Sequence, residues 1–166
     1  AYDAYHKSNP LSPLIMGLCR MLVYVAAGAL VAAQLGPSLW LGAGACLAWL
    51  IGLTYVAKQE NLGRVKNMWP LAFLAAPVLY GVFAASGAGW SAWALVGAVA
   101  IWALICLRFV VRRGPGDIPR AVVSLIAGIS LLDAMLIAAA GHSMLAGVAL
   151  AAFVMTLLLQ RVVPGT

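Results

Sequence analysis

Two tyrosines, a histidine and a lysine stand close together near the start of this 166-residue chain, as Tyr2, Tyr5, His6 and Lys7. An apolar run follows them and carries an arginine, Arg20, inside it. A lysine ammonium is a compact charge suited to phosphate oxygens, and phenol hydroxyls donate to the same oxygens. Arg20 lies about nine residues, or roughly 14 Å, into the run at ~1.5 Å per helical residue. It can snorkel back to the edge of the run, bind an anion in the interior, or pair with an acid. A second polar group, Lys58-Gln59-Glu60-Asn61, is followed by Arg64 and Lys66. Here Glu60 is a candidate oxygen ligand for a divalent cation, with the Asn61 carboxamide beside it. Magnesium takes one or two carboxylates together with the phosphates of its substrate. Glu60 and Arg64 are also four apart, the spacing of an ordinary helix-surface ion pair. Asp133 falls well inside another apolar run. An acid in that setting marks a site, or else pairs with a basic residue or a hydroxyl such as Ser130.

The elements that must position these groups follow from composition. The chain is 65% hydrophobic and 8% charged, with a mean hydropathy of +1.04. A soluble domain carries about 25% charged residues because its surface faces water. With a third of that charge, the surrounding solvent must be lipid. Six apolar segments, about 11–33, 38–57, 68–85, 90–111, 120–140 and 143–160, approach the ~20 residues that cross a hydrocarbon core. Lipid leaves unpaired backbone groups unsatisfied, so spans are helices or closed barrels. Unbroken Ala, Leu, Val and Gly without period-two alternation predict helices. The expected fold is therefore all-α, a single integral membrane domain over 1–166 built as a polytopic bundle of about six spans.

The punctuation agrees with that count. Ser12-Pro13 opens the first span, and Gly36-Pro37, Gly87-Ala88-Gly89, Arg113-Gly114-Pro115-Gly116 and Gly141-His142 separate others. Pro77 falls inside the third span and should kink it. Small residues at four-residue spacing, Gly42 with Cys46, Gly44 with Ala48 and Gly81 with Ala85, allow close helix approach. Cys19, Cys46 and Cys106 each lie in an apolar run without a partner at metal-ligand spacing, and read as small packing residues.

Charge sets the topology. Lys7, Lys58, Arg64, Lys66, Arg108, Arg112, Arg113, Arg120 and Arg161 fall on one side of the six-span model, nine of the ten basic residues, with Arg20 the exception. The positive-inside rule makes that side cytoplasmic, with both ends of the chain there. The net charge of +6 therefore reads as orientation and not as nucleic-acid binding, because the basic groups are too short and scattered to track a phosphate backbone. Trp40, Trp69 and Trp90 stand near expected helix ends, where interfacial aromatics belong.

The run Tyr2-Asp3-Ala4-Tyr5-His6-Lys7, followed by Pro13-Leu14-Ile15-Met16-Gly17-Leu18-Cys19-Arg20, resembles the UbiA-type intramembrane prenyltransferase superfamily, closest to its EboC-like branch. Thr54-Tyr55-Val56-Ala57-Lys58-Gln59-Glu60, Ser130-Leu131-Leu132-Asp133-Ala134 and the ending from Gln160 resemble later parts of that branch. The resemblance implies a membrane bundle with a cavity capped on the cytoplasmic side, where Asp-rich motifs hold Mg²⁺ against an isoprenoid diphosphate. It implies that Tyr2 and Lys7 contact the diphosphate, and that Glu60 and Asn61 stand near the second metal-binding motif; Arg20, as the intramembrane cation that can bind an anion, is the further expected diphosphate contact. The expected activity is transfer of a prenyl group from the diphosphate to a small acceptor.

This sequence also departs from the family pattern. The first Asp-rich motif is absent, and Glu60-Asn61 replaces several aspartates of the second. The opening Ala1 fits a processed, trimmed or partial sequence. The expected protein is thus the C-terminal portion of a larger bundle, needing a missing N-terminal half or a partner subunit. The alternative expectation is a non-enzymatic membrane subunit that binds or transports lipid, which the four acidic residues of the whole chain favour.

Overall fold

The computed structural model describes residues 11–31, 34–62 and 69–162. Every regular element among them is helical. The chain divides into two compact units, Ala1–Pro77 and Val78–Thr166. Five helices are long and apolar enough to cross a membrane. Their surfaces suit lipid, since Leu30, Trp90 and Met144 are 88, 84 and 89% exposed. Large apolar side chains exposed to that degree suit a lipid-facing surface. The chain is a multi-pass helical membrane protein.

In the first unit, helix α1 (Ser12–Val31) and helix α2 (Pro37–Leu62) pack together, and a 3-10 segment (Trp69–Ala75) packs on α2. Pro13 and Pro37 sit in first turns, where the missing donor costs nothing. The central element is α2: 56% of its membrane-spanning window is buried, against 11% for α1. Trp49, Cys46 and Val56 are fully enclosed. Lipid tails are as apolar as leucine, so close packing takes the place of the hydrophobic effect in holding such helices together. Gly17 shows how: a Cβ there would stand 2.6 Å from Leu47 Cδ1 and 3.2 Å from the Leu47 carbonyl. Helix α2 also runs past its expected end at 57, carrying Lys58, Glu60 and Asn61 on a continuous helical backbone.

The third expected span, 68–85, is the segment Trp69–Ala85, shorter than the other five. It is not one α-helix. The 3-10 segment gives way to helix α3 (Ala76–Ala85) just before the buried Pro77. Pro77 has no N–H to offer the preceding turn, and its ring clashes with the carbonyl four residues back. The tighter 3-10 winding upstream meets that constraint and also adds length. Seven 3-10 residues and ten α residues rise about 29 Å together, against about 25 Å if all were α-helical.

In the second unit, helix α4 (Trp90–Arg112), helix α5 (Asp117–Ala139) and helix α6 (Ser143–Val162) run up, down and up through short turns. The central helix here is α5, half of whose residues are buried, while 11% of α6 is. Trp102 Nε1 donates to the Ser124 carbonyl at 2.8 Å, and Gln160 Nε2 donates to the Val123 carbonyl at 3.2 Å. Neighbouring helices thus grip α5 at two consecutive backbone carbonyls. Trp102 also meets Phe153 edge to face, with ring centroids 4.9 Å apart. At the other end of the unit, Ser91 Oγ and Ser143 Oγ share a hydrogen bond of 3.1 Å. Gly81 lets α3 in: a Cβ would stand 2.6 Å from Met135 Sδ and 3.0 Å from Val96 Cγ2.

Candidate functional site

Tyr2 and Lys7 lie outside the described residues. Arg20 lies on α1, on the face turned toward α2. Gly17 and Arg20 are three apart and so share a helix face; Gly17 meets Leu47, and the Arg20 guanidinium, itself exposed, interacts electrostatically with the thiol of buried Cys46. The Met16–Arg20 stretch thus has a local logic. Its glycine brings the helices together, and its arginine, exposed on the same face, interacts with Cys46 across them.

Polar groups then continue along α2. The Thr54 hydroxyl is buried and has no hydrogen-bond partner, a state that costs about 1–3 kcal/mol for a hydroxyl removed from water. Lys58 follows Thr54 by one turn, on the same face. The backbone of α2 carries Glu60 and Asn61 in its last turn; their side chains are outside the described residues. Positions 60 and 61 are neighbours on a helix, about 100° apart around the axis, and do not share a face.

Distances along α2 separate these groups into levels. Position 60 is fourteen residues, or about 21 Å, from position 46, where Arg20 is anchored. Arg20 and Glu60 therefore belong to different depths of the first unit. Among the described residues, no group of three or more His, Cys, Asp or Glu is placed to hold a metal ion.

In the second unit Asp133 is half-buried on α5 and is not without a partner. It is sixteen residues, or about 24 Å, along that helix from Asp117. No family model matches the chain, and no curated protein or solved structure matches it. The site is accordingly read from its own chemistry.

The chemistry most concentrated in the second unit lies at the α4–α5 turn, and sequence reasoning passed over its centre. Asp117 is the one buried charged residue among those described, at 4% exposure. Its Oδ2 accepts from the Gly114 N–H at 2.8 Å, while its own N–H donates to the Gly114 carbonyl at 3.0 Å. Arg112 Nε stands 3.8 Å from the same carboxylate oxygen. The signal was available as Gly114-Pro115-Gly116-Asp117 followed by Pro119: an acid and a proline in a first helical turn. Helix α5 begins there, three residues before the expected 120.

Around this turn stand Arg108, Arg112, Arg113 and Arg120, all exposed, with Arg161 exposed at the end of α6. The Gln160–Val123 bond brings the end of α6 to the start of α5. All five arginines of the second unit therefore share one end of it. The opposite end, with Ser86 to Trp90 and Gly141 to Ser143, has no lysine or arginine.

Proposed function

We propose that this chain is a membrane-embedded part of a UbiA-type prenyltransferase homologue that holds an isoprenoid diphosphate through Tyr2, Lys7 and Arg20. The observation that carries the reading is the Tyr2–Arg20 run, in which the resemblance is most specific. The placement of Arg20 on α1 supports it, because its exposed side chain keeps the charge open to an anion while it interacts with Cys46 of α2. The chemistry asked of such a site is charge management. When the allylic C–O bond breaks, the electron pair leaves with the diphosphate and the prenyl carbon becomes cation-like. The acceptor forms the new bond to that carbon and releases a proton. Cations held at the diphosphate lower the barrier by offsetting the growing negative charge.

Magnesium, when bound, would supply further positive charge at the leaving diphosphate. The residues at hand fit it poorly. Glu60 offers a single carboxylate, Asn61 does not share its helix face, and Asp117 is committed to the α4–α5 turn. Metal ligands beyond Glu60 are therefore part of the proposal. The same commitment of Asp117 favours a second reading, a non-enzymatic subunit that binds or carries the isoprenoid lipid. The proposal also sets the orientation: the ends bearing Lys58, the α4–α5 turn and Arg161 face the cytoplasm.

The test is magnesium-dependent binding of an isoprenoid diphosphate to the detergent-purified chain. The reading expects Lys7→Ala and Glu60→Ala each to weaken binding about tenfold, the loss of one charge-assisted contact. Binding that both variants leave unchanged would overturn the diphosphate site. Binding lost with Lys7→Ala but indifferent to magnesium and to Glu60→Ala would favour the lipid-binding subunit.

A further inference from the structure

We propose that the arginine-bearing end of the second unit is a binding site for the phosphate headgroup of an anionic phospholipid. Three helices deliver it. Arg112 stands opposite Asp117, and Arg108 lies one turn deeper on α4, about 6 Å along the axis. Arg120 lies three residues into α5 from Asp117, about 4.5 Å along its axis. Arg161 adjoins Gln160, whose side chain reaches the Val123 carbonyl of α5. Arg108, Arg120 and Arg161 therefore lie within about one helical turn of a common depth, one on each helix.

Orientation alone would be served by lysine or arginine in any loop position. The second unit instead uses five arginines and no lysine. Arginine's planar fork makes paired hydrogen bonds to phosphate oxygens, which an ammonium does not. Several of these arginines also stand where local structure disfavours them. Arg120 puts a cation near the positive N-terminus of α5. Arg108 and Arg112 are like charges four apart on one helix. Arg113 takes a left-handed backbone, φ 53° and ψ 35°, that normally goes to glycine.

The single carboxylate close by, Asp117, is buried and already bonded to the Gly114 N–H. Among the described residues, no carboxylate pairs with Arg108, Arg113, Arg120 or Arg161. The positive charge at this end is therefore open to an anion from outside the unit. An end of a membrane bundle lies at headgroup depth, and basic clusters between helices at that depth take anionic headgroups. The proposal concerns the second unit only and does not rest on the diphosphate reading.

The test reconstitutes the whole chain in phosphatidylcholine nanodiscs with or without phosphatidylglycerol and measures lipid retained through detergent extraction by native mass spectrometry. The expected result is preferential retention of phosphatidylglycerol, weakened by roughly a hundredfold in R108Q/R120Q/R161Q. The charge-matched variant K58Q/R64Q/K66Q should retain it as the parent does. R108K/R120K/R161K keeps the charge but loses the fork, and should give an intermediate loss even if the glutamine variant folds poorly. Equal retention of the two lipids would overturn the proposal. So would equal losses in the two glutamine variants, which would show bulk charge alone. Displacement by inorganic phosphate as effectively as by phosphatidylglycerol would mark a free-anion site and overturn it as well.

Discussion

Asp117 decides more about the second unit than its place in a loop suggested. Two contacts compete to explain it, the hydrogen bond from Gly114 N–H and the ion pair with Arg112. The Arg112 side chain is 71% exposed and 3.8 Å away, so solvent screens that pair to little value. The buried hydrogen bond to a charged acceptor is worth about 1.5–3 kcal/mol. Asp117→Ala should therefore lower unfolding stability in micelles by about that much, whereas Asp117→Asn, which keeps an acceptor oxygen, should cost under about 1 kcal/mol. Equal losses from the two variants would assign the effect to the ion pair. Arg113 gives the opposite sign. Its left-handed backbone (φ 53°) strains a side-chain-bearing residue, so Arg113→Gly should raise the same unfolding stability by about 0.5–1 kcal/mol. Arg20 was legible as an intramembrane cation because charge is rare in an apolar run. Its partner Cys46 was not, because a cysteine among alanines and leucines carries no mark of what crosses it.

The helices themselves were readable at the level of elements, because composition and punctuation fix where a lipid-exposed backbone must be helical. Their ends and windings were less so. Helix α2 continues past 57 through residues that are polar but good helix formers, Lys58 to Glu60. The 3-10 winding over Trp69–Ala75 has the same apolar composition as an α-helix, and Pro77 is its one outward sign. What sequence did indicate was close packing at Gly81, through its spacing with Ala85. That contact can be tested directly. A Cβ at 81 meets the flexible end of Met135 but also Val96 Cγ2 at 3.0 Å, and Val is stiff about χ1. Gly81→Ala should be absorbed mostly by Met135, whereas Gly81→Val must push α3 away from α4 and α5. Overpacking of this kind costs about 1–3 kcal/mol, read as a lower unfolding midpoint with helical content retained. A Gly81→Val variant as stable as the parent would mean that α3 is held by other contacts.

At the scale of the whole molecule, the arrangement that sequence revealed most clearly is the segregation of charge. The structure's helix ends sharpen it. Gly87–Gly89 and Gly141–His142 connect helices without a single lysine or arginine, while the α4–α5 turn carries Arg112 and Arg113. Translocating an arginine-rich short loop is disfavoured, so this asymmetry biases the orientation in which each pair of helices inserts. The expected outcome is that Arg113 faces the cytoplasm and His142 the other side. A cysteine-free background is within reach, since Cys19 is exposed on α1 and Cys46 and Cys106 are buried; alanine at 19 and 106 and serine at 46, which keeps a polar partner for Arg20, all keep the helical backbone. In that background, His142→Cys should react with a membrane-impermeant maleimide added to intact cells. Arg113→Cys should react only after permeabilisation. Removing one of several arginines leaves the bias in place, so the probe itself should not invert the protein. The reverse labelling pattern would place the arginine-bearing end of the second unit, and the proposed headgroup site with it, on the outer face.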